Sequence, residues 1–228
     1  MSMSFTKYIL LIGIGLLCCP VFSQDDFEGL GETSFALNNN VNSDYKVNFS
    51  VRSRYFLYQD NNLNFENRQL DFVHFSSLNL DYNHSISLGV QYRIRESIDG
   101  GSNELRLTQQ FYYTQNSGAL RFGHRVRFEQ RILEEFTILR SRYRFALDFP
   151  LEGEKLDIGE LYLITSMEAL LSHSKAHKPE IDHRTTADIG WLISESLKLQ
   201  LGLEYRFEAF NINTEEKLFV LTSVILKV

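Results

Sequence analysis

From Gln24 onward, hydrophobic and polar positions alternate with a period of two, the signature of β-strands with one apolar face. The clearest run is Leu197–Glu208. Leu197, Leu199, Leu201, Leu203, Tyr205 and Phe207 fall on one side; Lys198, Gln200, Gly202, Glu204, Arg206 and Glu208 fall on the other. Tyr45–Leu57 repeats it, setting Asn48, Ser50, Arg52 and Arg54 against Tyr45, Val47, Phe49, Val51, Tyr55 and Leu57. The same rhythm runs through Ile86–Arg95, Glu104–Tyr112, Arg121–Arg131 and Arg140–Asp148. Weaker versions cover Phe65–Tyr82, Ile158–Leu171, Arg184–Ile193 and Leu218–Val228, and the weakest is Phe27–Leu37, interrupted by Gly29 and Gly31. No window carries an amphipathic helix, so the predicted class is all-β.

The connections fix an expected topology. Asn83-His84, Gln115–Gly118 and Ser194–Ser196 read as tight turns; Gln59–Asn64, Asp99–Asn103, Ser172–Asp182 and Asn211–Glu216 read as longer loops. Short turns on one side and longer loops on the other suit a single antiparallel up-and-down barrel of about 10–12 strands. Ten strands follow from Tyr45 onward. Phe27–Leu37 makes an eleventh, against the even-number habit of bacterial outer-membrane barrels.

Alternation alone also suits a soluble sandwich, whose apolar faces meet inside. Three features favour a membrane barrel with its polar face inward. The segments run about 10–14 residues, against about 5–6 in soluble sheets and about 9–11 needed to cross a bilayer at a tilt. The polar face is rich in arginine, whose planar fork pairs tightly with carboxylates in a confined space, and every arginine lies in or at the edge of an alternating segment. Aromatics gather near strand ends: Tyr55 with Tyr58, Tyr112 with Tyr113, Phe207 with Phe210, and Trp191. A chain with no interior proline in any of these strands keeps its ladders whole.

The first residues read as an export signal. Lys7 is followed by an apolar run from Tyr8 to Leu17, and Val21-Phe22-Ser23 fits cleavage after Ser23. Residues 1–23 are therefore the expected signal peptide and 24–228 the barrel domain. Removing 1–23 takes both cysteines with it and, through Lys7, moves the net charge from −6 to −7. That acidic balance excludes a nucleic-acid partner. The expected partner is the bilayer of the outer membrane, with a small solute or ion inside.

Glu104–Gln110 (ELRLTQQ), Gly123–Arg131 (GHRVRFEQR) and Arg140–Phe145 (RSRYRF) carry a family resemblance. In this order they resemble the E-x-R…Q-Q, R-x-R-x-E-x-R and R-x-R-Y/F strands of an exported family from Bacteroidetes-type bacteria, domain of unknown function 2490. Leu161–Leu171 and Ile189–Phe207 are similar to its C-terminal part. The resemblance covers essentially the whole chain from Phe27. It implies an outer-membrane location and a barrel, and supplies no activity. The final Ile225-Leu226-Lys227-Val228 departs from the aromatic residue on which such barrels generally end.

The residues expected to line the lumen are Arg52, Arg54, Arg93, Arg95, Glu104, Arg106, Arg121, Arg125, Arg127, Glu129, Arg131, Arg140, Arg142, Arg144, Glu160, Glu168, Arg184, Asp188, Glu204 and Arg206. Rings of charge set ion preference in a pore; equally, arginine–carboxylate pairs fill and brace a narrow barrel that passes nothing. The expected role is a structural or porin-like narrow-channel barrel, with an outer-membrane lipid-acting enzyme and a soluble periplasmic binding barrel as alternatives. No catalytic residue is assigned: His74 with Ser76 and His84 with Ser85 are neighbours in sequence without a nucleophile-elbow motif. No cofactor is called for. His173, His177 and His183, with Glu180, have metal-ligand chemistry, but Lys175 and Lys178 in the same stretch oppose a cation.

Overall fold

A computed structural model describes residues 27–228. The expected signal peptide lies outside the described residues. The order is β1 (Phe27–Asn40), β2 (Tyr45–Gln59), the two-residue β3 (Asn62–Leu63), β4 (Asn67–Asn79), β5 (His84–Ile94), the helical turn α1 (Glu96–Asp99) and β6 (Glu104–Ser117). Then come β7 (Leu120–Ile132), β8 (Thr137–Pro150), β9 (Leu161–Ser174), β10 (Glu180–Leu192), β11 (Leu197–Glu208) and β12 (Glu215–Lys227). Among the described residues no helix is long and apolar enough to cross a membrane.

Apart from β3, each strand has 11 to 15 residues, about twice the ordinary length. From β2 to β12 each long strand pairs antiparallel with its successor. The ring closes through β1, which pairs antiparallel with β2 and parallel with β12 from Phe27↔Glu216 to Asn38↔Lys227. The fold is therefore a single all-β barrel as expected, with one junction corrected: eleven alternating strands leave the first and last pointing the same way, so closure must be parallel. Phe27–Asn40 is a full member of the wall. Parallel pairing is slightly weaker per residue, yet leaves no free edge.

The inner face of that seam is reinforced. Leu30 and Phe219, opposite each other in register, are both fully buried. The Arg206 guanidinium lies 3.7 Å and that of Arg54 4.8 Å from the Phe219 ring centroid, so one phenyl ring serves two cations. Ser34 and Ser223 hydroxyls meet across the seam at 2.7 Å. Gly190 and Tyr162 are opposite in register on β10 and β9, and the Tyr162 ring occupies the space a Cβ on Gly190 would need. Here glycine admits an aromatic ring flat against the wall.

At one end the connections are 60–66, 95–103, 133–136, 175–179 and 209–214. At the other they are 41–44, 80–83, 118–119, 151–160 and 193–196. The expected short and long sides hold except at two places. The 133–136 turn is short, and 151–160 is long and contains Glu160, which therefore precedes β9 rather than lying on a strand. Gly159, at φ 93°, makes the reversal there. At the first end Asp60 and Asn61 both take positive φ, which these residues tolerate, and form the tight turn between β2 and β3.

Phe219→Ala should destabilise the barrel by about 3–5 kcal/mol, because a fully buried ring leaves a cavity. Val220→Ala, one residue on and on the opposite face, should cost far less. Urea midpoints of the refolded protein check this, and equal losses would contradict the packing of the seam.

Candidate functional site

Period-two alternation on a closed wall forces one residue set inward, and here it is the polar set. Residues under a tenth exposed include Gln69, Asp71, Glu104, Arg106, Glu129, Glu168, Asp182 and Arg206, whereas Leu201 and Leu203 are 61% and 54% exposed. Among the described residues the buried apolar side chains are few: Leu30, Val73, Tyr162, Leu170 and Phe219. Burying charge is costly unless each group is paired.

The pairing is dense. Glu104 accepts from Arg106 at 2.6 Å and from Arg131 at 2.9 Å, and lies 3.5 Å from Arg93. Glu129 accepts from Arg142 at 2.9 Å, with Arg127 at 3.5 Å and Arg106 at 3.7 Å. Glu168 accepts from Arg142 at 2.5 Å and Arg125 at 3.3 Å. Glu204 accepts from Arg206 at 2.5 Å. Arg184 lies 3.8 Å from Glu208, and Arg140 donates to Ser172 at 2.8 Å and lies 3.9 Å from Asp182. Glu104 and Glu129 each serve three guanidiniums and Glu168 serves two, so around these three the cations outnumber the anions.

Between these side chains is a cavity of about 710 Å³, to which all eleven long strands contribute. Every arginine of the chain except Arg121 lines it, including Arg52, Arg54, Arg93 and Arg95, with Asp188 among the carboxylates. Glu104 and Glu129 lie buried behind its surface in the pairs just described. Two expected residues are elsewhere. Arg121 is at the rim, its side chain 56% exposed and donating to Asp148 at 2.5 Å. Glu160 is in the 151–160 connection, where its carboxylate accepts from the Asp157 N–H at 2.9 Å.

Several partners escaped the sequence reading. Glu32 accepts from Arg54 at 2.6 Å, Asp71 from Arg93 at 2.8 Å, and Lys217 donates to Glu208 at 2.9 Å. Glu32 is hidden in the glycine-interrupted Phe27–Leu37 segment. Asp71 shares its face with Val73 and Phe75, so the polar rhythm is broken around it.

Two further cavities adjoin the first. One of about 950 Å³ lies under the 60–66 and 95–103 loops and shares Arg68, Gln69 and Arg95 with it. One of about 320 Å³ at the opposite end, lined by Asn38, Asn40, Gln110 and Tyr112, shares Asn48 and Arg125. Tyr112 thus turns inward, away from the aromatic band that its neighbour Tyr113 joins. In the 95–103 loop, Arg95 donates to Asp99 at 2.5 Å. Burial alone would raise the Asp99 carboxyl, but hydrogen bonds from Arg95 and the Gly101 N–H, with the Arg95 and Arg68 charges, hold it below the usual carboxylate range.

The histidine candidates separate. Among the described residues no group of three or more His, Cys, Asp or Glu is placed to hold a metal ion. β9 and β10 extend further than expected, leaving only 175–179 as loop. His173 and His183 are therefore strand residues, His183 contacts Thr185 at 3.1 Å, and Glu180 lines the interior cavity. His177 instead packs against Phe136, ring centroids 4.9 Å apart. His74 does reach Ser76, Nε2 to Oγ at 3.1 Å, but its Nδ1 has no partner among the described residues and the Phe49 ring lies 4.4 Å away. A nucleophilic serine needs its histidine oriented by a third polar group, and none is there. His84 instead binds Asp81 in the 80–83 turn, its Nδ1 2.9 Å from the carboxylate.

Glu129→Gln removes the shared acceptor of three buried guanidiniums and should cost about 3–5 kcal/mol. Arg121→Gln, at the exposed rim, should cost less than about 1 kcal/mol. Denaturant unfolding separates the two, and similar losses would contradict the buried network. Because the Asp99 carboxyl is depressed on folding, its contribution is complete above the ordinary carboxylate range and is lost as pH falls through the lowered value. Asp99→Asn should therefore speed hydrogen exchange at Gly101 at neutral pH and make no difference in strong acid.

No curated protein and no solved structure matches the chain. A family model described as a protein of unknown function, DUF2490, matches residues 33–216. That span holds nine complete long strands of the barrel, β2 and β4 to β11, with the second half of β1, and the chain, a β-barrel, belongs to this family of proteins of unknown function.

Proposed function

We propose that this protein is an outer-membrane β-barrel whose arginine- and carboxylate-lined interior forms a narrow passage for small ions. The observation that carries the reading is the inverted burial: charged side chains fill the interior while leucine, isoleucine, phenylalanine and tyrosine cover the outside. In water such a surface is an aggregation liability; in hydrocarbon it is the favourable arrangement, with every backbone polar group in the spanning wall paired by ring closure. Aromatic side chains at one end support it. His84, Tyr113, His124 and Phe145 form a row of ring contacts across four strands at centroid spacings of 4.9, 5.8 and 5.2 Å, and the Trp191 N–H donates to the Gly159 carbonyl at 3.0 Å. Rings with one polar edge suit the interface between headgroups and chains. The longer-loop end then faces outward and the opposite end the periplasm.

The three adjoining cavities favour a passage over a solid plug, and the arginine excess favours anions in it. No catalysis is required.

Reconstituted in planar bilayers, the protein should give small conductance steps whose reversal potential in a salt gradient marks anion preference. Absence of steps would leave a braced, closed barrel; recovery in the soluble periplasmic fraction would overturn the membrane reading altogether. Leu201→Arg should cost about 2–4 kcal/mol if that position lies near mid-membrane, measured by refolding into vesicles. An equal loss for Leu201→Ala would contradict it.

A further inference from the structure

On β7 and β8 two arginine pairs are directly opposite in register, Arg125↔Arg144 and Arg127↔Arg142, all four on the inward face. Like charges at opposed positions repel unless something neutral or negative intervenes. Two carboxylates are at hand, and Arg142 takes the nearest oxygen of both: Glu168 at 2.5 Å and Glu129 at 2.9 Å. Arg125 and Arg127 receive longer contacts, 3.3 Å to Glu168 and 3.5 Å to Glu129, and Arg127 also donates to Gln110 at 2.7 Å. Nothing is left for Arg144. Although Glu168 is its register partner on β9, that carboxylate is turned to Arg142 and Arg125. Among the described residues Arg144 makes no ion pair within 4.0 Å and no hydrogen bond. Asp188, the other carboxylate lining this part of the cavity, is not within ion-pair distance of it.

We propose that Arg125 and Arg144 form a binding site for a small oxyanion, a phosphate or phosphomonoester group, inside the barrel. Four guanidiniums against Glu129, Glu168 and the more distant Asp188 leave a local positive surplus, before Arg106 takes its share of Glu129. Two opposed forks match a tetrahedral oxyanion, which offers each a pair of oxygens, better than they match spherical chloride. The place suits a ligand as well. Both side chains line the cavity of about 710 Å³, and Arg125 also lines the smaller one of about 320 Å³, at the junction between them. An anion there would neutralise the surplus and join β7 to β8. The site does not depend on the membrane reading or on conduction, because its groups lie within the barrel wall.

The test uses the full protein folded in detergent micelles and inorganic phosphate as probe, with chloride at matched ionic strength as the screening control. Phosphate should raise the unfolding midpoint saturably and beyond chloride. Arg144→Gln should fold with an unchanged or higher midpoint in phosphate-free buffer, since it removes repulsion, and should weaken phosphate binding by roughly tenfold or more. Asp188→Asn, which removes the competing anion, should tighten it. Equal effects of phosphate and chloride, or full phosphate binding in Arg144→Gln, would overturn the site. Should Arg144→Gln not fold, Arg144→Lys keeps the charge without the fork, and phosphate affinity unchanged in that variant would overturn it too.

Discussion

The structure depends on the pairing of buried guanidiniums with too few carboxylates. A closed ladder satisfies every backbone group of its wall, and the strict period of two then commits one side chain in two to the interior. In this chain the committed set is arginine and glutamate. Each ion removed from water is tolerable only while its partners hold it, so Glu104, Glu129 and Glu168 act as hubs, each shared by two or three arginines. The shared hubs tie non-adjacent strands: Glu129 on β7 meets arginines from β6, β7 and β8. Apolar packing matters at few interior places, chiefly the seam, where Leu30 and Phe219 are fully buried and two guanidiniums lie over the Phe219 ring.

Much of the wall was legible because alternation is a local property. Leu197–Glu208 splits cleanly, and β11 carries that split into three dimensions with Leu201 and Leu203 exposed and Arg206 buried. The legible part ends where short polar side chains dilute the rhythm. Strands β9 and β10 run on through Ser172, Ser174 and Asp182, which read as loop, and His173 and His183 went with them. Glu160 was misplaced for a related reason, since Ile158–Leu171 alternates on both sides of a turn that Gly159 makes.

Other features lie beyond any local pattern. Strand parity counts whole elements, and Gly29 and Gly31 blur the element that decides it, so the parallel β1–β12 closure could not be read from periodicity. Which arginine meets which carboxylate depends on register and tilt across several strands. Arg144 and Glu168 are opposite in register, yet the carboxylate serves Arg142 and Arg125 instead. From the sequence Arg144 looks like any other member of the R-x-R-x-R run; only the packed interior leaves it without an ion pair or hydrogen bond among the described residues.

The proposed membrane setting requires the leucine face of the wall, and not the arginine face, to meet hydrocarbon. A nitroxide placed by cysteine substitution at each position from Leu197 to Glu208, in mature protein reconstituted into vesicles, reports this from collision rates with oxygen and with a water-soluble nickel chelate. Oxygen should dominate at 199, 201, 203 and 205, with both reagents suppressed at 202, 204 and 206. High nickel access at Leu201 and Leu203 would contradict it.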